Sequence, residues 1–136
     1  MGLPGSGKTY LSKKLASLLK AVHFNADEVR ATINRDLGFS KNDRIENAFR
    51  LGWMCQFVSN SGYIAIADFV CPLNETRSAF NADFTIWLDT IQVSRYEDTN
   101  NIFIRPANPN LIISDWNYDV TNIVSIILNV KQTQLI

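Results

Sequence analysis

Eight residues near the start of the chain, Gly2-Leu3-Pro4-Gly5-Ser6-Gly7-Lys8-Thr9, have the spacing G-x-x-x-x-G-K-T. Glycines in such a run let successive backbone N–H groups curl around phosphate oxygens. Lys8 supplies a point charge for the terminal phosphates, and Thr9 a hydroxyl for Mg²⁺. A helix opening at this point aims the positive end of its dipole at the same anion. The chemistry implied is binding of ATP with Mg²⁺ and transfer of a phosphoryl group, with Lys8 both binding and catalytic. The plainer alternative is a glycine-rich turn that caps a helix.

Phosphoryl transfer also needs a carboxylate near the acceptor hydroxyl, and cationic or amide groups to hold an anionic acceptor. Asp27 lies just past a predicted strand end, where parallel sheets place their ligands. Arg30 follows one helical turn later, and Arg44 and Asn47 are one turn apart at a predicted helix start. Asp68 ends the apolar run Ile64-Ala65-Ile66-Ala67, a place from which a carboxylate can hold Mg²⁺ through water. Taken singly, Asp27 also reads as a helix cap, Arg30 and Arg44 as solvated surface charges, and Asp68 as a buried hydrogen-bonding group. His23, inside a predicted strand, reads as structural.

These groups need elements to position them. Apolar residues at Leu11, Leu15, Leu18 and Leu19 predict a helix over 8–20, followed by an extended run over 21–25. A helix is expected over 26–35, a loop over 36–40, and a long helix from caps at Asn42 or Asp43 to about residue 60. On that long helix Ile45, Phe49, Trp53 and Phe57 share one face, which predicts core packing. Strands are expected over 63–69, 84–88 and 111–114, and a closing amphipathic helix over 119–131. Alternating strands and helices predict an α/β fold, three layers with a parallel sheet flanked by helices.

A phosphate loop of this kind normally follows a buried strand, whereas only Met1 precedes Gly2. The expectation is therefore a single domain over 1–136 that lacks its first, central strand, with a natural start further upstream. Four or five buried apolar side chains would be lost with that strand, at roughly 2 kcal/mol each.

The run Asn25-Ala26-Asp27-Glu28-Val29-Arg30, then Asn34-Arg35-Asp36-Leu37-Gly38-Phe39-Ser40, then Asp43-Arg44-Ile45-Glu46-Asn47, resembles the adenylylsulfate kinase family, which carries D-G-D-x-x-R, L-N-x-x-L-G-F-S and D-R-x-E-N. Val70-Cys71-Pro72 and Arg77 are similar to that family's I-S-P-x-x-x-x-R turn. The resemblance runs from Gly2 to about Arg77. It implies a P-loop kinase of sulfate assimilation that moves the ATP γ-phosphate to the 3′-hydroxyl of adenylylsulfate. Asp27 would assist the hydroxyl, Arg30, Arg44 and Asn47 would hold the phosphate–sulfate part, and Phe39 would stack on the adenine.

The chain departs from that pattern at several places, among them Ile33 for the Leu before Asn34 and Ala26 for the Gly of D-G-D. Asn25 stands for the first Asp of D-G-D, and Asp68 stands where the family has Ser. The family's long basic lid is replaced by Glu97-Asp98-Thr99-Asn100-Asn101-Ile102-Phe103, leaving Arg95 and Arg105 to meet nucleotide phosphates from that side. Two other readings follow: a P-loop kinase for another small alcohol, and an ATP-binding remnant with little turnover.

With 13 basic and 13 acidic residues, the net charge is zero, which gives no indication of a nucleic-acid or membrane partner. A small anionic acceptor and a homodimer are the partners considered. Cys55 and Cys71 lack metal-ligand spacing and read as reduced, buried thiols. No apolar run reaches the ~20 residues of a bilayer span, and a cytoplasmic enzyme is expected.

Overall fold

The computed structural model describes residues 1–134. In chain order the elements are α1 (Lys8–Leu19), β1 (Val22–Asn25), α2 (Ala26–Ala31), α3 (Lys41–Asn60), β2 (Ala65–Asp68), α4 (Asn74–Phe80), β3 (Ile86–Leu88), α5 (Glu97–Ile102), β4 (Leu111–Ile113) and α6 (Val120–Gln134). The α/β alternation is as expected, and every strand pairing is parallel. The expected single sheet, however, is two pairs: β1 with β2, and β3 with β4.

Met1 adds one position beside β3. Its amine donates to the Ile86 carbonyl at 2.7 Å and its carbonyl accepts from the Leu88 N–H at 2.9 Å. Those two bonds are the parallel pattern centred on Trp87. Beyond Met1 lies a cleft of about 730 Å³, with β2 residues Ala65 and Ile66 on one side and Ile86 on the other. Leu11 and Leu15 of α1 and Phe80 of α4 line it from the helical layers.

The core lies in two clusters. Leu11, Leu15, Leu88, Ile113 and Ile123 join α1, β3, β4 and α6, while Ala26, Val29 and Leu51 join α2 to α3. The leucine stripe of α1 therefore buries as expected, except that Leu18 is exposed.

Helix α3 corrects the expected core face. Phe49, Trp53 and Phe57 are 55%, 62% and 64% exposed, and the buried positions are Arg44, Asn47, Ala48 and Leu51. The reason is close approach: a Cβ on Gly52 would lie 2.5 Å from the Phe80 carbonyl oxygen, so the side of α3 with Ala48, Leu51 and Gly52 meets α4 and the bulky aromatic side turns outward. Trp53 and Phe57 instead stack on each other outside, centroids 5.6 Å apart. The cap of α3 is Ser40, whose hydroxyl accepts from the Asp43 N–H at 3.1 Å, not Asn42 or Asp43.

Helix α2 stops at Ala31 rather than at residue 35. The Thr32 hydroxyl donates to the Glu28 carbonyl at 2.7 Å, and the Asn34 N–H returns to the Val29 carbonyl at 2.9 Å. Asn34 is fully buried, its amide donating to Asn47 Oδ1 at 3.0 Å, which turns the chain inward. The strands are shorter than expected at one or both ends, and α6 starts one residue later, with Asp119 accepting from the Thr121 N–H.

Both cysteines are free; Cys71 is buried and Cys55 half-buried. Burial raises both thiols, Cys55 to about 12, so neither is a thiolate at neutral pH. Among the described residues no helix is long and apolar enough to cross a membrane.

Candidate active site

The loop over 2–7 enters α1 through three glycines with positive φ: Gly2 at 153°, Gly5 at 84° and Gly7 at 96°. Two of these have no room for a side chain. A Cβ on Gly2 would meet the Leu88 carbonyl oxygen at 2.5 Å, and one on Gly7 would meet the Trp116 ring at 2.9 Å. The loop is pinned to the end of β3 by Thr90, whose hydroxyl donates to the Ser6 carbonyl at 2.8 Å. Leu3 and Ser6 are buried, while Pro4 and Gly5 form the outer curve. Helix α1 has no side-chain cap at Gly7, so its first-turn N–H groups are left for an anion.

Lys8 folds over this loop, its ammonium donating to the Leu3 carbonyl at 3.0 Å. Burial pushes its pKa below the ordinary lysine value, and the carboxylates of Asp68 and Asp27 oppose that shift. A partly desolvated cation beside unpaired N–H groups suits a polyphosphate.

Asp68 is buried at the end of β2, in register with Asn25 at the end of β1. Four side chains meet there. The Thr9 hydroxyl donates to Asp68 Oδ1 at 3.2 Å. Asn25 Nδ2 reaches Thr9 Oγ1 at 3.1 Å and both Asp68 oxygens at 3.2 and 3.3 Å. His23 Nε2 lies 2.6 Å from Asp68 Oδ2. The Thr9 hydroxyl donates to Asp68 and accepts from Asn25, which leaves one lone pair of Thr9 Oγ1 for a hard cation. This donor set fits Mg²⁺. Among the described residues no group of three or more His, Cys, Asp or Glu side chains could hold a metal by itself, so most ligands must be water or phosphate oxygens.

Asn25 also caps α2, its Oδ1 accepting from the Glu28 N–H at 3.1 Å. That removes the reading of Asp27 as the cap. Asp27 is exposed in the first turn of α2, and its charge acts on both Lys8 and Arg30.

The predicted acceptor residues divide into two groups. Arg30 and Arg44 both lie over the Phe39 ring, at 4.4 and 5.4 Å from its centroid, and Phe39 is 64% exposed. Arg30 donates to the Gly38 carbonyl and Arg44 to the Phe39 carbonyl at 2.9 Å, which fixes both guanidiniums to the loop before α3. Burial and the charge of Arg44 lower the Arg30 pKa, and burial lowers that of Arg44. Two partly buried guanidiniums that repel each other make a place for an anion. Asn47 is buried behind them and holds Asn34. Arg95 is exposed and turned to Tyr96, donating to its hydroxyl at 2.9 Å. Arg105 pairs with Asp89 at 3.1 Å and lies over Trp87. Asp98 of α5 stands 3.8 Å from Arg44.

The sequence reading took His23 as structural and did not name its contact with Asp68, and it did not single out Thr90 or Trp116. For His23 there was a signal, since residues two apart on a strand share a face and Asn25 stands where the resembled family has an Asp. Thr90 and Trp116 carry no motif.

A glycine-cradled helix start beside the strand ends of a parallel α/β fold defines a P-loop nucleotide-binding protein. The family is shown by comparison: the family model for adenylylsulphate kinase matches residues 1–112, and the chain belongs to that family. A probable adenylyl-sulfate kinase of Aeropyrum pernix is 33% identical over 82 residues, 57% of this chain and 45% of the relative. The adenylyl-sulfate kinase of Clostridium kluyveri is 31% identical over 118 residues, 79% of this chain and 59% of the relative. The chain thus spans about half the length of these two relatives. Among solved structures, the APS kinase of Mycobacterium tuberculosis in complex with AMPPNP and APS superposes with a TM-score of 0.78 at 21% identity, covering 97% of this chain and 94% of that one.

Proposed function

We propose that this chain is an ATP-dependent kinase of adenylylsulfate, forming a phosphate ester at its 3′-hydroxyl. One observation carries the reading. In a chain of the adenylylsulphate kinase family, Arg30 and Arg44 are both fixed over the exposed Phe39 ring, at 4.4 and 5.4 Å from its centroid, a place for an anionic group beside an aromatic one. The M. tuberculosis structure, whose fold this chain shares, holds APS together with an ATP analogue.

In this account the loop over 2–9 holds the ATP phosphates. Thr9 and Asp68 would hold Mg²⁺, the latter through water, and Arg95 would meet the nucleotide. When bound, the ion would supply positive charge against the phosphate oxygens. Lys8 draws charge from the γ-phosphate. The acceptor oxygen forms its bond to the γ-phosphorus as the bond to the β–γ bridging oxygen breaks, and ADP leaves. Asp27 receives the hydroxyl proton. Arg30 and Arg44 hold the anionic end of the acceptor, Phe39 stacks on its base, and Asn47 supports them from behind.

Asp98 favours a second reading. A carboxylate 3.8 Å from Arg44 occupies ground that an acceptor anion would use, which suits a kinase for a less charged small alcohol. Transfer from labelled ATP to a panel of adenylylsulfate, other nucleotides and small alcohols separates the two. Preferred labelling of adenylylsulfate supports the first; brisk labelling of an uncharged alcohol alone moves the function to the second. Assembly is a further proposal: the APS kinase of Thiobacillus denitrificans is hexameric, and light scattering on this chain distinguishes a homodimer from a larger ring.

A further inference from the structure

We infer that His23 is a positioning residue for the metal side of the site: it locks Asp68 in the orientation that presents Oδ1 to Thr9. The inference rests on the proposed role of Asp68 toward Mg²⁺.

Asp68 is 5% exposed, and a carboxylate so buried needs donors on both oxygens. Oδ1 takes the Thr9 hydroxyl, and Asn25 Nδ2 lies between the two oxygens. The short contact, 2.6 Å, is from His23 to Oδ2, on the far side from Thr9. A carboxylate that already accepts from Thr9 and Asn25 acts as an acceptor toward His23 too, so Nε2 carries the hydrogen. A charge-assisted bond of this length fixes the carboxylate plane more firmly than the longer amide contacts.

The geometry behind this is simple. His23 and Asn25 are two apart on β1 and share a face, and β2 runs parallel beside them with Asp68 opposite Asn25. The two β1 side chains therefore bracket one β2 carboxylate. Asn25 is committed twice over, to the cap of α2 and to Thr9. His23, with no other side-chain partner among the described residues, serves Asp68 alone. Without it, Oδ2 is buried with only the long Asn25 contact, and the carboxylate can rotate Oδ1 away from Thr9. Groups that orient metal-side ligands from behind typically carry ten- to hundredfold of metal affinity.

The test uses the magnesium-linked gain in ATP affinity, the ratio of calorimetric Kd values without and with Mg²⁺. His23→Leu should lower that gain ten- to hundredfold while metal-free ATP affinity stays near wild type. His23→Gln, which keeps an N–H donor at similar reach, should restore most of it. His23→Asn, polar but too short, gives the same comparison if His23→Leu is too unstable to purify. The chain has a single histidine, so imidazole ¹⁵N spectra read His23 alone. The Nε2–H signal should be downfield and slow to exchange, and should move upfield in Asp68→Asn. If Asp68→Asn itself leaves the magnesium-linked gain unchanged, the metal role of Asp68 falls and the His23 assignment with it. If Asp68→Asn lowers the gain but neither His23→Leu nor His23→Asn does, the His23 assignment alone is overturned.

Discussion

The ammonium of Lys8 and the carbonyl of Leu3 are joined at 3.0 Å, so the cation that would meet the ATP phosphates rests across its own loop. Lys8 must exchange that contact for phosphate oxygens when nucleotide binds. Lys8→Ala is expected to lower MgATP affinity at least tenfold and turnover more, because the charge matters most as the γ-phosphate departs. Calorimetry and initial rates check this. Unchanged values for both would remove the loop as the working site.

Arg30→Ala and Arg44→Ala should each raise the acceptor KM and lower kcat/KM, with MgATP affinity near wild type. A lost charge-assisted hydrogen bond costs about 1.5–3 kcal/mol, ten- to a hundredfold. Asp27→Asn should act mainly on kcat. Steady-state kinetics at saturating MgATP separates these effects. A fall in MgATP affinity as large as the change in acceptor KM would contradict the division into two half-sites.

The cleft beside Met1 gives a stability prediction. Met1 already pairs with Trp87 as a parallel strand residue, and the cleft is lined by Ala65 and Ile66 of β2 and by Phe84 and Thr85 just before β3. Five to eight apolar residues placed ahead of Met1 should extend that pairing and join the two strand pairs. Burying four or five side chains at roughly 2 kcal/mol each should raise Tm by more than about 10 °C. The 136-residue chain alone should melt below about 60 °C. A scanning calorimeter decides it; an extension that leaves Tm unmoved contradicts the pairing.

The same place predicts a pH dependence. Burial pushes the Met1 amine down from 8.0 to about 5. The unfolded chain therefore binds the extra proton between about pH 5 and 8, and stability rises with pH across that window. Below about 5 the penalty is complete, and above 8 it is absent. Tm of the 136-residue chain should increase by at least about 4 °C from pH 5.5 to 8, and acetylating the amine should flatten the rise. A flat profile before acetylation would contradict the burial of the charge.

The local features were the legible ones. The glycine loop, the helix it opens and the Asp27–Arg30 and Arg44–Asn47 pairs are set by residues within a few positions of each other. The face of α3 was not legible, because periodicity shows that Phe49, Trp53 and Phe57 share a side but not which side meets α4; the close approach at Gly52 decides that. Asn47, expected to hold the acceptor, is buried and accepts from Asn34 Nδ2, a contact 13 positions away that the local motif does not show. His23 and Asp68 are 45 positions apart and meet only through the β1–β2 register.

The central claim is that one site joins the ATP loop to an adenylylsulfate pocket through Asp27. The most direct measurement follows the label from [γ-³²P]ATP into adenylylsulfate and locates it by mass spectrometry of the digested product. The account predicts label on the ribose 3′-oxygen, with a rate cut at least tenfold by Arg44→Ala. Label elsewhere on the acceptor, or 3′-labelling indifferent to both Arg44→Ala and Asp27→Asn, would contradict it.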